Sequence, residues 1–207
     1  MSPERLWWRR LVLVLVRPRE VFAALRSTDE GDEAARQEPV LLIVLLAGMA
    51  AVVLSPAWRE VLDQPLVDGL SAAVLTFVFG ALEGAVLYLV VGGAVQLAAR
   101  GMGSLSGFRT TRHVVAFAAV PLALSLAVVV PAALLAYGGD WFDAGGGDEG
   151  TGGRLLLSGG LAFVAWSVGL LVIGLRDTLR LAWLGVLGTI LLAGVLLAGL
   201  AVLPSVL

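Results

Sequence analysis

Residues Leu70 to Arg100 read LSAAVLTFVFGALEGAVLYLVVGGAVQLAAR. The run is almost wholly apolar and carries one acidic residue, Glu83, near its middle. A helix needs roughly 20 apolar residues to cross a bilayer, so this one crosses with length to spare. A carboxyl inside the apolar layer is costly, and by default it marks a functional site. The stretch therefore fixes the class of the molecule: an all-α, polytopic membrane protein.

Two readings of Glu83 stay open. Gly80 and Gly84 form a GxxxG, and Gly92 and Gly93 follow two turns later. Small residues let neighbouring helix backbones approach closely, so Glu83 is expected beside a helix–helix contact. One reading is a proton- or ion-linked site. The other is a protonated or hydrogen-bonded carboxyl that fixes packing, because burial without a cation disfavours its charged form.

Composition agrees with the class. Of 207 residues, 59% are hydrophobic and only 14% are charged, against about 25% in a soluble domain. Mean hydropathy is +0.95. With no cysteine, there is neither a disulfide nor a thiol nucleophile. The single histidine, His113, excludes a multi-histidine metal site. All 14 basic residues are arginine, which excludes lysine Schiff-base chemistry and a phosphate loop of the GK[ST] type. No cofactor is expected.

Upstream of the decisive stretch, Arg5, Arg9, Arg10, Arg17, Arg19, Arg26 and Arg36 lie among tryptophans and a short apolar run, Leu11 to Val16. That run is too short to span. Trp7 and Trp8 suit headgroup depth and the arginines suit anionic lipid. Pro18 opens a short helix as its first residue, with Val21, Phe22 and Leu25 on one face. The reading is an N-terminal interfacial amphipathic segment; a compatible alternative is that this helix simply packs under the bundle. Ser27 to Glu38 is a polar, acidic linker, and Pro39 opens the first span. That span is short and is expected to use Trp58 as an interfacial anchor.

Downstream, Arg100 to His113 is a short basic loop. The next span carries Pro121 and Pro131, which are expected to kink it. His113, at its mouth, reads as structural or solvated. Tyr137 to Gly153 is a glycine-rich, acidic loop, whose acids lack the spacing of a calcium loop; Trp141 and Phe142 are placed to dip into the interface. The last two spans are joined by Arg-Asp-Thr-Leu-Arg, Arg176 to Arg180, a turn tight enough to make them antiparallel neighbours. The organisation is a cytoplasmic or interfacial segment, residues 1–38, then a bundle of five transmembrane helices, residues 39–207, with spans near 39–58, 70–99, 114–136, 155–175 and 181–203.

Five spans put the termini on opposite sides. Twelve of the fourteen arginines then share one side, and only Arg59 and Arg154 lie opposite. The positive-inside rule places the N-terminus in the cytoplasm and the C-terminus outside, in a cytoplasmic membrane. Arg112, Arg176 and Arg180 become candidate contacts for lipid phosphate or for an acidic partner. Arginines that only set topology would show the same distribution.

Three stretches, in order, resemble the Yip-one family of Ypt-interacting proteins. They are RPREVFAAL (Arg17 to Leu25), GFRTTRHVVAFAAVPLAL (Gly107 to Leu124) and AFVAWSVGLLVIGLRDTLRLAWLGVL (Ala162 to Leu187). The resemblance implies five membrane helices and a cytoplasmic N-terminus, and it brings no established catalytic residues to map. Eukaryotic members are associated with small GTPases and vesicle traffic. This chain lacks their tyrosine- and glycine-containing signatures, which speaks against a small-GTPase partner. Its lysine-free composition, rich in arginine, alanine and glycine, suggests a bacterial chain from a GC-rich genome.

The functional expectation is a non-enzymatic scaffold or adaptor whose partners are membrane lipids and another membrane protein or itself, with no nucleic acid. The alternative is a small transporter, channel or lipid-handling protein using Glu83. Its supports are that carboxyl and the proline-bearing third span; against it, the chain shows no internal repeat. An intramembrane protease would need a paired nucleophile and base, or two acids at depth, and the spans supply neither.

Overall fold

The computed structural model describes residues 7–25, 37–55, 58, 69–141 and 150–202. Among them the regular structure is helical and there is no strand. In a chain this apolar, intrasegment hydrogen bonding satisfies the backbone where water cannot. The helices are α1 (Trp7–Val16), α2 (Pro18–Ala24), α3 (Gln37–Leu54), α4 (Gly69–Gly101), α5 (Phe108–Ala118), α6 (Val120–Tyr137), α7 (Thr151–Asp177) and α8 (Trp183–Val202). A 3-10 turn, Gly138–Trp141, closes α6.

Four stretches are long and apolar enough to cross a membrane: Leu70–Gly101, Phe108–Tyr137, Thr151–Asp177 and Trp183–Leu200. The first expected span forms the apolar helix α3, but its stretch Val40–Leu54 is shorter than a crossing. Ser55 precedes Pro56, and the residue before a proline disfavours helical backbone. Most of the acidic linker, residues 59–68 and 142–149, and the side chains of Trp7 and Trp8 lie outside the described residues.

The third expected span starts earlier than the apolar run, at Phe108, and is divided at Ala119 into α5 and α6. Pro121 sits in the first turn of α6. It has no N–H to donate, and its ring excludes the carbonyl four residues back. The division thus falls just ahead of Pro121, whereas Pro131 is carried inside α6.

The chain forms two compact units. Unit 1 comprises Met1–Leu41, Val86–Ala118 and Val168–Leu207. Its core joins Ala94, Val95, Ala98 and Ala99 of α4 with Leu175, Leu179, Leu181, Val186 and Ala193. Alanines on α4 meeting leucines from α7 and the α7–α8 connection, and Val186 of α8, give the alternation of small and large that close packing needs. The α4–α5 turn is closed by Gly103, at φ +89, with Ser104 N–H donating to the Ala99 carbonyl at 2.9 Å. This is the left-handed helix ending that glycine supplies without steric cost. Arg100 and Arg176 occupy the last turns of α4 and α7, where cations complement the helix dipole.

Unit 2 comprises Leu42–Ala85 and Ala119–Ser167. Here α3 and α4 meet backbone to backbone. A Cβ on Gly48 would lie 2.5 Å from the Gly84 Cα, and one on Gly80 would lie 2.5 Å from the Met49 Cα. Trp141 is 2% exposed and stacks on Tyr137 with ring centroids 5.9 Å apart. Trp141 is thus buried within the protein; Phe142 lies outside the described residues.

Candidate functional site

In unit 2, the glycine crossing holds Glu83 half-buried beside the α3–α4 contact. The Trp58 indole N–H donates to a carboxyl oxygen of Glu83 at 2.9 Å. The same indole lies against Phe79, with ring centroids 5.4 Å apart. Glu83 therefore has a neutral donor and an aromatic neighbour. A hydrogen bond of this kind stabilises by about 1 kcal/mol net, and loss of the donor costs about 1–3 kcal/mol if the carboxyl stays dry. From sequence, Trp58 is only an expected interfacial anchor; its pairing with Glu83 is a tertiary contact that local pattern does not encode.

In unit 1, Arg112 of α5 is half-buried. Its stem crosses α4 at Gly92, where a Cβ would come within 2.7 Å of the Arg112 Cγ. The guanidinium carbon lies 4.6 Å from the Phe108 ring centroid and 5.4 Å from that of Tyr88. The Nε is buried and has no hydrogen-bond partner among the described residues. Cation–π contacts of about 0.5–2 kcal/mol each offset the roughly 1–3 kcal/mol of one unmet donor. His113, one residue on, is 7% exposed, and its Nδ1 is 2.8 Å from the Arg109 carbonyl.

A buried polar network beside Arg112 is missed by the sequence reading. Gln96 of α4 is 5% exposed and donates to the Ser106 carbonyl at 2.8 Å. The Thr111 hydroxyl donates to the Gln96 side-chain oxygen and also reaches the Gly107 carbonyl at 3.3 Å. These bonds strap the turn to both helices. The one available signal was an amide inside an apolar run, since in a membrane such a group must find partners.

The N-terminal helices also belong to unit 1. Pro18 starts α2, and Val21 and Phe22 are buried while Arg19 and Glu20 are exposed. Arg17 and Glu20 form an ion pair at 3.3 Å, exposed on both sides and worth at most about 1 kcal/mol. Phe22 is fully buried. It fits a notch at Gly174 of α7, where a Cβ would come within 3.0 Å of its ring. The Thr178 hydroxyl donates to the Phe22 carbonyl at 2.8 Å, a bond across most of the chain. Sequence pattern marks Phe22 as apolar-facing, but not Gly174 as its socket.

This docking brings Arg19 to the α7–α8 connection. A cavity of about 620 Å³ there is lined by Arg19, Arg176, Asp177, Arg180 and Trp183 among others. Arg176 lies over the Trp183 ring, 4.4 Å from its centroid. Two of the three arginines singled out from sequence thus share one cavity, while Arg112 stands elsewhere in unit 1. Among the described residues no cluster of histidine and acidic side chains fits a metal ion.

No curated protein and no solved structure matches the chain. A family model described as the Yip1 domain matches residues 12–203. The match takes in all four membrane-length stretches, the Phe22 socket and the arginine-lined cavity. The chain is a membrane protein and belongs to the Yip1-domain family.

Proposed function

We propose that this protein is a non-enzymatic scaffold or adaptor of the cytoplasmic membrane, acting through protein and lipid contacts. In this reading α3 supplies a fifth crossing, the N-terminus is cytoplasmic and the C-terminus lies outside. The N-terminal residues 1–38 act as an interfacial segment. Phe22 in its Gly174 socket carries the reading. It ties the arginine-bearing N-terminal helices to the connection that carries Arg176 and Arg180, so one end of unit 1 presents a joint cationic surface. Such a surface suits anionic headgroups or an acidic partner.

The alternative, a small transporter or channel, rests on Glu83. Its bond to Trp58 supports a packing role for that carboxyl instead. Cross-linking in native membranes, read by mass spectrometry on wild type and Glu83→Gln, separates the two. The expected result is one specific partner, or a second copy of the chain, captured equally by both. Capture of nothing by either, with a liposome ion flux that Glu83→Gln abolishes, would overturn the adaptor reading.

A further inference from the structure

The cavity at the α7–α8 connection has more chemistry than an adaptor surface needs. Its lining holds three arginines and one aspartate, so positive charge is in excess. Among the described residues, none of Arg19, Arg176 and Arg180 forms an ion pair. Three guanidiniums gathered at one hollow repel each other unless an anion answers them. The volume, about 620 Å³, falls in the range of ligand pockets.

The backbone gives a second, independent observation. Arg180 has φ +55 and is the one non-glycine residue at positive φ among those described. A side chain in the left-handed region is strained against its own backbone, a strain glycine escapes. The chain has 26 glycines, yet an arginine holds this position. The neighbours fix the turn: Thr178 is bonded to α2, and Leu179 and Leu181 are buried in the unit 1 core. Strain held in place by its surroundings makes this turn a place to look for function.

Depth identifies the carrier of the anion. The cavity sits at the end of α7 and the start of α8, both of membrane-spanning length. Trp183, 56% exposed, begins α8, and tryptophan at a span end belongs to headgroup level. Its ring orients the Arg176 guanidinium, whose planar fork matches phosphate oxygens. Resting on the membrane-scaffold reading, we propose that this cavity binds the phosphate group of an anionic phospholipid headgroup, held by Arg19, Arg176 and Arg180.

The test is native mass spectrometry of the purified full chain in detergent, titrated with phosphatidylglycerol, phosphatidylcholine or inorganic phosphate. Wild type is expected to retain one phosphatidylglycerol, and phosphatidylcholine less well. Arg176→Gln and Arg180→Gly each weaken phosphatidylglycerol about tenfold, the loss of one charge-assisted contact. Arg180→Gly relieves the backbone strain, so its melting temperature stays at or above wild type and its binding loss is not unfolding. Unchanged binding in both variants, or equal retention of the two lipids, overturns the proposal. If inorganic phosphate fills the cavity and phosphatidylglycerol does not, lipid as the carrier is overturned. A lost lipid site with an intact cross-linked partner removes this site and leaves the scaffold standing.

Discussion

Glu83 in unit 2 and Arg112 in unit 1 are two half-buried ionisable side chains in helices of an apolar protein, and they are accommodated in opposite ways. Glu83 sits where backbones touch and receives a directed hydrogen bond from Trp58. Arg112 sits where a glycine makes room for a side chain, and it is answered by aromatic faces. The carboxyl has a specific donor, while the guanidinium keeps a buried Nε with no acceptor among the described residues. The lesson concerns glycine as much as charge. Gly48, Gly80 and Gly84 admit a neighbouring backbone, whereas Gly92 admits an arginine stem. Backbone cannot step aside, but a side chain can.

The strongest way to break this comparison is at the backbone crossing. Gly84→Leu drives a side chain into the Val44 carbonyl and the Gly48 Cα. Overpacking costs about 1–3 kcal/mol where side chains can shift, and more where they cannot. The expected outcome is loss of folded protein, read as a collapsed monodisperse peak on size exclusion in detergent. Recovery of well-folded Gly84→Leu at wild-type yield would show that α3 and α4 do not meet here.

The next change probes the charge at that crossing. Trp58→Phe keeps a ring against Phe79 and removes the indole donor together with part of the ring's bulk, a loss that a double-mutant cycle cancels. It is expected to lower stability by about 1–3 kcal/mol, measured by reversible unfolding in mixed micelles. Glu83→Gln keeps an acceptor oxygen and should cost less. In a double-mutant cycle the pair should couple by more than about 0.5 kcal/mol. Additive effects would mean that the hydrogen bond contributes nothing and would return Glu83 to the list of pathway candidates.

How much of this was legible follows from the range of each signal. The membrane-length runs of α4, α7 and α8 are local facts of composition, so their presence is read directly from sequence. Gly80 and Gly84 announce a close helix neighbour by spacing alone, but not that Gly48 is its counterpart. Pro121 announces a disturbance, and the helix divides at Ala119 just ahead of it. Arg176 and Arg180 are near in sequence, so their sharing a cavity needs only a turn. Arg19 joins them through Phe22 and Gly174, a tertiary fit for which local periodicity has no term. The Gln96–Thr111 network is hidden for the same reason: each residue alone reads as a tolerated polar group, and only the turn at Gly103 brings them together.

The smallest effect sharpens the distinction between yielding and unyielding neighbours. At Gly188 of α8 a Cβ would come within 2.6 Å of the Met102 sulfur. Met102 is exposed, and its unbranched thioether has three rotatable bonds. Gly188→Ala should therefore displace a side chain rather than a helix. It also replaces glycine by the best helix former, a gain of up to about 1 kcal/mol. The two terms nearly cancel, so the expected change in melting temperature is within about 2 °C of wild type. At Gly92 the same substitution meets the Cγ of Arg112, close to its backbone, where two aromatic rings restrict the side chain's retreat. Gly92→Ala should fall between Gly188→Ala and the α3–α4 glycines. If Gly188→Ala proved as damaging as Gly84→Leu, side chain and backbone would be equally unyielding in this protein, and the distinction between its two kinds of glycine contact would fail.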